Sequence, residues 1–343
     1  MSRFIQLHLL TFFPPANLNR DDTGRPKTAV VGGVTRLRLF SQALKRAWRT
    51  SPVFAAALAG HMGQRTQRFG EEILHHLLAK GMAEDKALAA AREIAGVFGK
   101  IKPEGAQIEQ LAFIAPEEKA AALALADKVL AGEKIDAKKA DLLRRVDTAA
   151  DIAMFGRMLA DDPDYNREAA VQVAHAITTH KVVVEDDYYT AVDDLKTSAD
   201  DAGAGFLGEA AFGSGVFYLY LCIDRTLLVK NLGGDSALAK TAIRALVEAA
   251  ATTAPRGKQN SFAAHGRAGY VLAEKGDRQP RTLAGAFARP VKDEDLLGAS
   301  VTKLEEFRTA IDKAYHGGSA EPSEVLHVGV KGDLPAILDF VGD

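Results

Sequence analysis

The sequence predicts an α+β fold, in which a few apolar strands form one sheet and a long Ala-rich helical stretch interrupts them. Three observations lead there. Residues 3–12, RFIQLHLLTF, are dense in apolar and aromatic side chains and end at Pro14-Pro15, the pattern of a buried strand. Residues 216–223, VFYLYLCI, are the clearest such run in the chain. Between them, from about Val53 to Ala160, the pattern is repeatedly helical, with breaks at Gly81, at Lys102 to Gly105, at Ala115-Pro116 and near Gly132.

After the first strand comes the most basic part of the chain. Asn17 to Arg49 carries eight Arg or Lys against two Asp, although the formal net charge of the whole chain is −2. Asn19, Asp21, Asp22, Gly24 and Pro26 read as a loop, and Gly32-Gly33 as a second break. A helix follows, with Ser41 placed to cap it. Gln42, Lys45 and Arg49 fall on one of its faces, Leu44 and Trp48 on another. A helix start next to a cationic row suits phosphate, while a solvated amphipathic helix has the same pattern.

Pro52 marks a break, and the helical stretch beyond it shows no fixed-period repeat and no heptads. Residues 116–131 begin with proline and acids, as helix starts do. Alternation of Val171, Val173 and Ile177 restores a β pattern over 170–184, which ends at an acidic turn beginning with Glu185, Asp186 and Asp187. The Gly-, Ala-, Ser- and Asp-rich residues 197–215 fit a mobile loop. Asp235 caps a helix, and Phe262 to Ala273 read as a further strand. The resulting order is strand, helix, helical insertion, strand, strand, helix, strand. That is the βαββαβ order of a ferredoxin-like fold, which RNA recognition motifs also use. Their aromatic signature on the central strands is absent from the sequence.

Composition narrows the function classes. A chain of 343 residues, 47% of them hydrophobic, has ample apolar material for a core. A single cysteine, Cys222, permits no internal disulfide and points to a reducing, cytoplasmic setting. No uninterrupted apolar run is long enough to cross a bilayer, so no membrane partner is expected. His175 and His180, read on one strand, face opposite ways, and His75-His76 lacks further ligands at finger spacing, so no metal or cofactor is expected. Ser214 has no His or Asp tied to it by spacing, and no catalytic set emerges. The adjacent carboxylates Asp21 and Asp22 either pair with Arg20 or Arg25 or serve a metal-dependent ribonuclease.

Three stretches, in this order, resemble the backbone subunit of the type I-E CRISPR surveillance complex Cascade. They are LNRDD with GG and SQALKRAWR, then AHAITTHKVVVEDDYYTAVDDL at 174–195, then FGSGVFYLY at 212–220. The resemblance implies a modified ferredoxin-like (RRM-like) palm made of residues 1–52, 168–290 and 291–343, with a thumb hairpin at about 181–213 and helical fingers at 53–167. The last segment would complete the palm with a helix and a strand. It implies a structural subunit, not an enzyme, that polymerises along CRISPR guide RNA and presents it in segments to target DNA. Its partners would be the guide RNA, the target strand, other copies of itself, other Cascade subunits and a recruited helicase-nuclease. By resemblance, Arg20, Lys27, Lys45, Arg46 and Arg49 would meet guide phosphates, with Ser41 and Gln42 adding hydrogen bonds and Asn19 a further RNA contact. Tyr188, Tyr189, Thr190 and Met158 would divide the guide, Arg157 and Val192 would also contact RNA, Lys258 would add a backbone contact, and Lys138, Lys139, Arg144 and Arg145 would face DNA. Each has a duller reading as well: a satellite core for the tyrosines, a helix core for Met158, a solvated face for the lysines. A monomeric single-strand RNA binder is the remaining alternative.

Overall fold

Six consecutive residues of the first apolar run, Ile5 to Leu10, are buried, so both faces of that strand are covered. The computed structural model describes residues 2–143, 148–159, 163–191 and 206–343. Its strands are β1 Phe4–Ala16, β2 Thr28–Val31, β3 Val34–Leu39, β4 Gln64–Thr66, β5 Ala112–Ile114, β6 Val171–Val173, β7 Ala176–Thr178, β8 Glu185–Ala191, β9 Phe206–Asp224, β10 Ala268–Gly276 and β11 Ser323–His327. The chain divides into two units. One comprises Met1–Phe54, Val173–Cys222 and Leu246–Asp343, the other Ala55–Gln172 and Ile223–Ala245. Residues 223–245, expected with the palm, thus group with the helical stretch.

The first unit is built on a sheet with strand order β11-β10-β1-β9-β7-β3-β2. Adjacent pairs β1/β10, β10/β11, β7/β9, β3/β7 and β2/β3 are antiparallel. Four successive strands, β10-β1-β9-β7, stand in the order expected of a ferredoxin-like βαββαβ sheet, and the fold is α+β as the sequence predicts. On one face Leu10, Tyr218, Leu272 and Phe287 pack with Val301 and Leu304 of the helix Leu296–His316.

Polar residues inside this unit converge on Glu274 in one cluster, in which Arg281 Nε alone is buried without a hydrogen-bond partner. His8 lies 2.9 Å from Tyr218 Oη through Nδ1 and 3.3 Å from Glu274 through Nε2. Arg281 donates to both Glu274 oxygens at 2.7 and 3.0 Å, and Arg308 Nε donates at 2.9 Å. Burial opposes the charge on Glu274, yet hydrogen bonds from His8 and Arg281 hold its carboxyl well below the usual range. Burial lowers the His8 pKa, so a neutral imidazole donates from Nε2 and accepts at Nδ1.

The second unit is helical, as expected, around Phe69, Ile73, Leu77, Ala91, Ile94, Ala122 and Ala126. Alanines let the helices Phe69–Ala79, Glu84–Ala95 and Pro116–Leu130 approach closely. Gly70 sits so near the Ala106 carbonyl oxygen that a Cβ there would lie at 1.9 Å. The pair β4/β5 in this unit was not legible as strands in the sequence.

Three local expectations change. The acidic turn at Glu185 is the start of β8, and 206–215 is not a loop but the first half of β9. Its glycines fit a strand because neighbours lie across them: Tyr189 over Gly208, Leu37 over Gly213 and His180 over Gly215. Residues 197–205 of the expected loop lie outside the described residues. The run from Phe262 splits into a short helix, Gln259–Phe262, and β10, which begins at Ala268.

Candidate nucleic-acid interface

The basic stretch folds as a pinned loop, a hairpin and a helix. Asn17, buried, donates to Gly24 O and Ala211 O, both at 2.9 Å, fixing the loop to β9. Asn19 Oδ1 accepts from Phe40 N at 2.8 Å, and Lys27 N donates to Asn19 O at 2.9 Å. Gly32 and Gly33, with φ of 61° and 76°, make the two-residue turn joining β2 to β3. The sequence signal was present, a Gly-Gly pair between alternating TAVV and VTRLRL. Reading Gly-Gly as a simple break missed it.

The helix Ser41–Arg49 (α1) starts one residue earlier than a Ser41 cap requires. Phe40 is the N-cap, with extended backbone (φ −66°, ψ 140°) and no side-chain capping bond, and Ser41 is the first helical residue. Ser41 Oγ lies 3.4 Å from Gln42 Oε1 instead. Leu44, Ala47 and Trp48 are buried; Gln42 and Arg46 are exposed, and Lys45 and Arg49 half-buried. Desolvation lowers the Lys45 pKa. Arg46 and Arg49 also oppose the negative end of the helix dipole, a structural reason for cations here.

Phe40 gathers groups from three segments. Lys27 Nζ lies 3.7 Å and Arg38 Cζ 4.5 Å from its ring centroid. The His175 ring meets it edge-on with centroids 4.8 Å apart. Desolvation, then Arg38 and Lys27, lower the His175 pKa. Arg38 was missed in the sequence, where β3 alternation carries the signal: Leu37 and Leu39 are buried on one face, leaving Arg36 and Arg38 on the other. The two arginines then differ. Arg36 is buried and donates to Thr178 O at 2.8 Å and Phe287 O at 3.0 Å, whereas Arg38 remains half-buried beside Phe40.

Strand β8 pairs with β9 from Glu185↔Phe212 to Ala191↔Phe206. Tyr188, Tyr189 and Thr190 therefore stand on the stem of this hairpin and not at its tip. Consecutive strand residues face opposite ways, so the tyrosines cannot act on one site. Tyr188, opposite Glu209, is 75% exposed; Tyr189, opposite Gly208, is 47% exposed and lies over that glycine, so neither closes a satellite core. Val192 lies outside the described residues.

A family model described as CT1975-like protein matches residues 5–331. The chain belongs to that family. No curated protein sequence matches it. It is similar to a chain of a solved structure described as a CRISPR RNA-guided surveillance complex, pre-nicking, with 30% identity, a TM-score of 0.86 and coverage of 99% of each chain. A second solved structure, described as a CRISPR RNA-guided surveillance complex, is similar with 26% identity, a TM-score of 0.75 and 99% coverage of each chain.

Other candidate residues of this CT1975-like chain fall in varied settings. Arg157 is withdrawn from the interface: it is buried, donating to Glu118 Oε2 at 2.6 Å and to the Phe113 and Tyr165 carbonyls at 3.2 and 3.4 Å. A short-range motif could not reveal that its carboxylate lies on a distant helix. Its neighbour Met158 is 81% exposed, which removes the helix-core reading. Lys258 is exposed at the start of a short helix, with φ of 52°; its neighbour Gly257 packs on the Leu18 carbonyl, where a Cβ would lie at 2.3 Å. Arg20 is exposed and bridges Pro26. Lys138 and Lys139 sit on a 3-10 turn, Lys139 3.0 Å from Asp136, and Arg144 and Arg145 lie outside the described residues.

Asp21 does not pair with Arg20 or Arg25 through its side-chain charge alone. Its Oδ1 accepts from Thr23 N, Thr23 Oγ1 and Arg25 N at 2.9, 2.7 and 3.0 Å, a turn motif that accounts for its lowered pKa. Arg25 turns to Asp186, at 2.6 and 3.2 Å. His175 and His180 do not share a strand, since both flank β7. Among the described residues no group of three His, Cys, Asp or Glu could hold a metal ion, and no helix could span a membrane.

Proposed function

We propose that this chain is a structural RNA-binding subunit of a CRISPR surveillance complex, of the type I-E Cascade backbone kind, that lines up in copies along guide RNA. The observation that carries this reading is the pinned cationic ledge: loop 19–27 locked to Phe40 by Asn19, leading into α1 with Lys45, Arg46 and Arg49. The full-length likeness to chains of RNA-guided surveillance complexes supports it. Arg20, Lys27, Lys45, Arg46 and Arg49 contact guide phosphates, with Ser41 and Gln42 adding hydrogen bonds at the helix start. Such contacts position RNA without reading its bases. Sequence is then read by pairing with the target strand, and cutting is left to a recruited helicase-nuclease. Tyr188 and Met158, the most exposed large apolar side chains among the candidates, divide the guide into segments.

The test is purification of the protein from cells carrying a CRISPR array, followed by sequencing of the bound RNA and mass photometry against RNA length. Repeat-derived small RNAs and mass steps with length are expected. Bulk cellular RNA with no stepwise growth would leave a monomeric single-strand binder.

A further inference from the structure

We propose that Lys27, Arg38 and His175 form a phosphate subsite around the Phe40 ring, in which His175 binds a proton together with the RNA phosphate. The inference rests on the RNA-binding reading above. Its starting point is an electrostatic imbalance. Lys27, ahead of β2, and Arg38, on β3, both lie against one ring face or the other within 4.5 Å of its centroid, so two cations are crowded together. Among the described residues neither forms an ion pair with a carboxylate, and Arg38 Nε is buried with no hydrogen-bond partner. Natural surfaces compensate crowded charge, and a partner anion at this point would supply the missing acceptor.

His175 completes the ring of groups from the segment between β6 and β7. The charged groups that act on it are Arg38 and Lys27, both cations, and no carboxylate is among them. Without an anion, desolvation and then these cations disfavour the imidazolium. A phosphate between Lys27 and Arg38 reverses the local field, so the imidazolium becomes favourable and donates a charge-assisted bond. Phe40 is also the N-cap of α1. The sign follows from linkage. A group that gains a proton on binding makes binding tighter as pH falls through the interval between its free and bound pKa values.

The experiment measures affinity for a mixed-sequence single-stranded RNA at constant ionic strength, from about pH 7.5 to about pH 5.5, in wild type, His175→Asn and Arg38→Gln. Wild type is expected to tighten by about three- to tenfold more than His175→Asn over that interval, since one proton contributes at most about tenfold per pH unit. The His175 imidazole, followed by NMR, is expected to titrate higher in the RNA complex than in free protein. In free Arg38→Gln protein it should titrate higher than in free wild type. Equal pH dependence in wild type and His175→Asn, or an imidazole that RNA leaves unmoved, overturns the subsite while leaving RNA binding intact. A failure of wild type to bind RNA at any pH overturns the RNA-binding reading itself, and this inference with it.

Discussion

Two charged regions of the sheet unit answer burial in opposite ways. Around Glu274 the charges are closed upon themselves: Arg281, Arg308 and a neutral His8 converge on one carboxylate, and Arg281 reaches on to Asp312 at 3.4 Å. Around Phe40 two cations and a suppressed imidazole meet with no acid among them. The closed cluster is neutralised from within the fold, and on the proposal above the open one takes its anion from outside. Both contain Arg beside His, so residue type does not separate them. What does is whether the topology delivers a carboxylate to the same place.

The largest expected effect breaks the closed cluster. Glu274 is wholly inaccessible, so Glu274→Gln removes the carboxylate that two guanidinium groups share and should cost about 3–5 kcal/mol in urea denaturation. A loss under about 1 kcal/mol would mean these charges are not coupled. The same cluster sets the sign of the acid response. Because the folded pKa of His8 is lowered, the unfolded chain takes up protons first as pH falls below about 6.5, and stability drops there. The Glu274 contribution is lost only further down, as pH falls through its depressed folded pKa.

This contrast also explains what could be read in the sequence. β1, the second half of β9 and the helical stretch were legible because they are continuous apolar patterns, and the α1 face was legible because helical spacing is local. The stem of the hairpin was not, since Gly208, Gly213 and Gly215 look like loop residues until Tyr189, Leu37 and His180 are seen lying across them. Arg157 was misread and Arg38 missed for one reason. Glu118, which neutralises Arg157, lies 39 residues away, and Phe40, which gathers Arg38 with Lys27 and His175, draws on three separate segments. Charge lists show cations but not their partners.

The next effect sharpens the open side through the hairpin. Opposite orientations of Tyr188 and Tyr189 separate their roles. Tyr188→Ala should weaken target-DNA capture by about 1–3 kcal/mol, the worth of one aromatic against a base, and leave guide binding near wild type. Tyr189→Ala should loosen the stem at Gly208 and show first in hydrogen exchange of β8. Target affinity for single mismatches walked along the guide-complementary strand is the measurement. Equal losses in both variants, or a wild-type profile with no regularly spaced tolerance, would remove the tyrosines from target capture.

Smaller again is the effect of single cations on the ledge. Replacing Lys45 and Arg49 by Ala should make the salt dependence of RNA binding shallower by about 0.7 per lost contact, independent of RNA sequence. The matching change at the closed cluster, Arg308→Gln, should alter stability with an unchanged salt slope in whatever protein remains folded. An unchanged slope in the Lys45 and Arg49 double variant would place α1 on a solvated face.

The smallest effect lies between the two regions in kind. Arg25 and Asp186 form a bidentate pair, yet both are well exposed, at 45% and 37% of their side-chain surface, so water and salt compete for each. The Asp21 turn aims Arg25 at β8, which makes the pair a tie between the cationic loop and the hairpin stem rather than a source of stability. Either single charge reversal, Arg25→Asp or Asp186→Arg, should speed amide exchange in residues 185–191 at low salt, and the double reversal should restore it. In about 1 M salt, where the screening length falls to about 3 Å, all four proteins should converge. A difference that survives high salt would place this pair with the closed cluster, and the hairpin stem would then be held by a buried charge network and not by a screened surface tie.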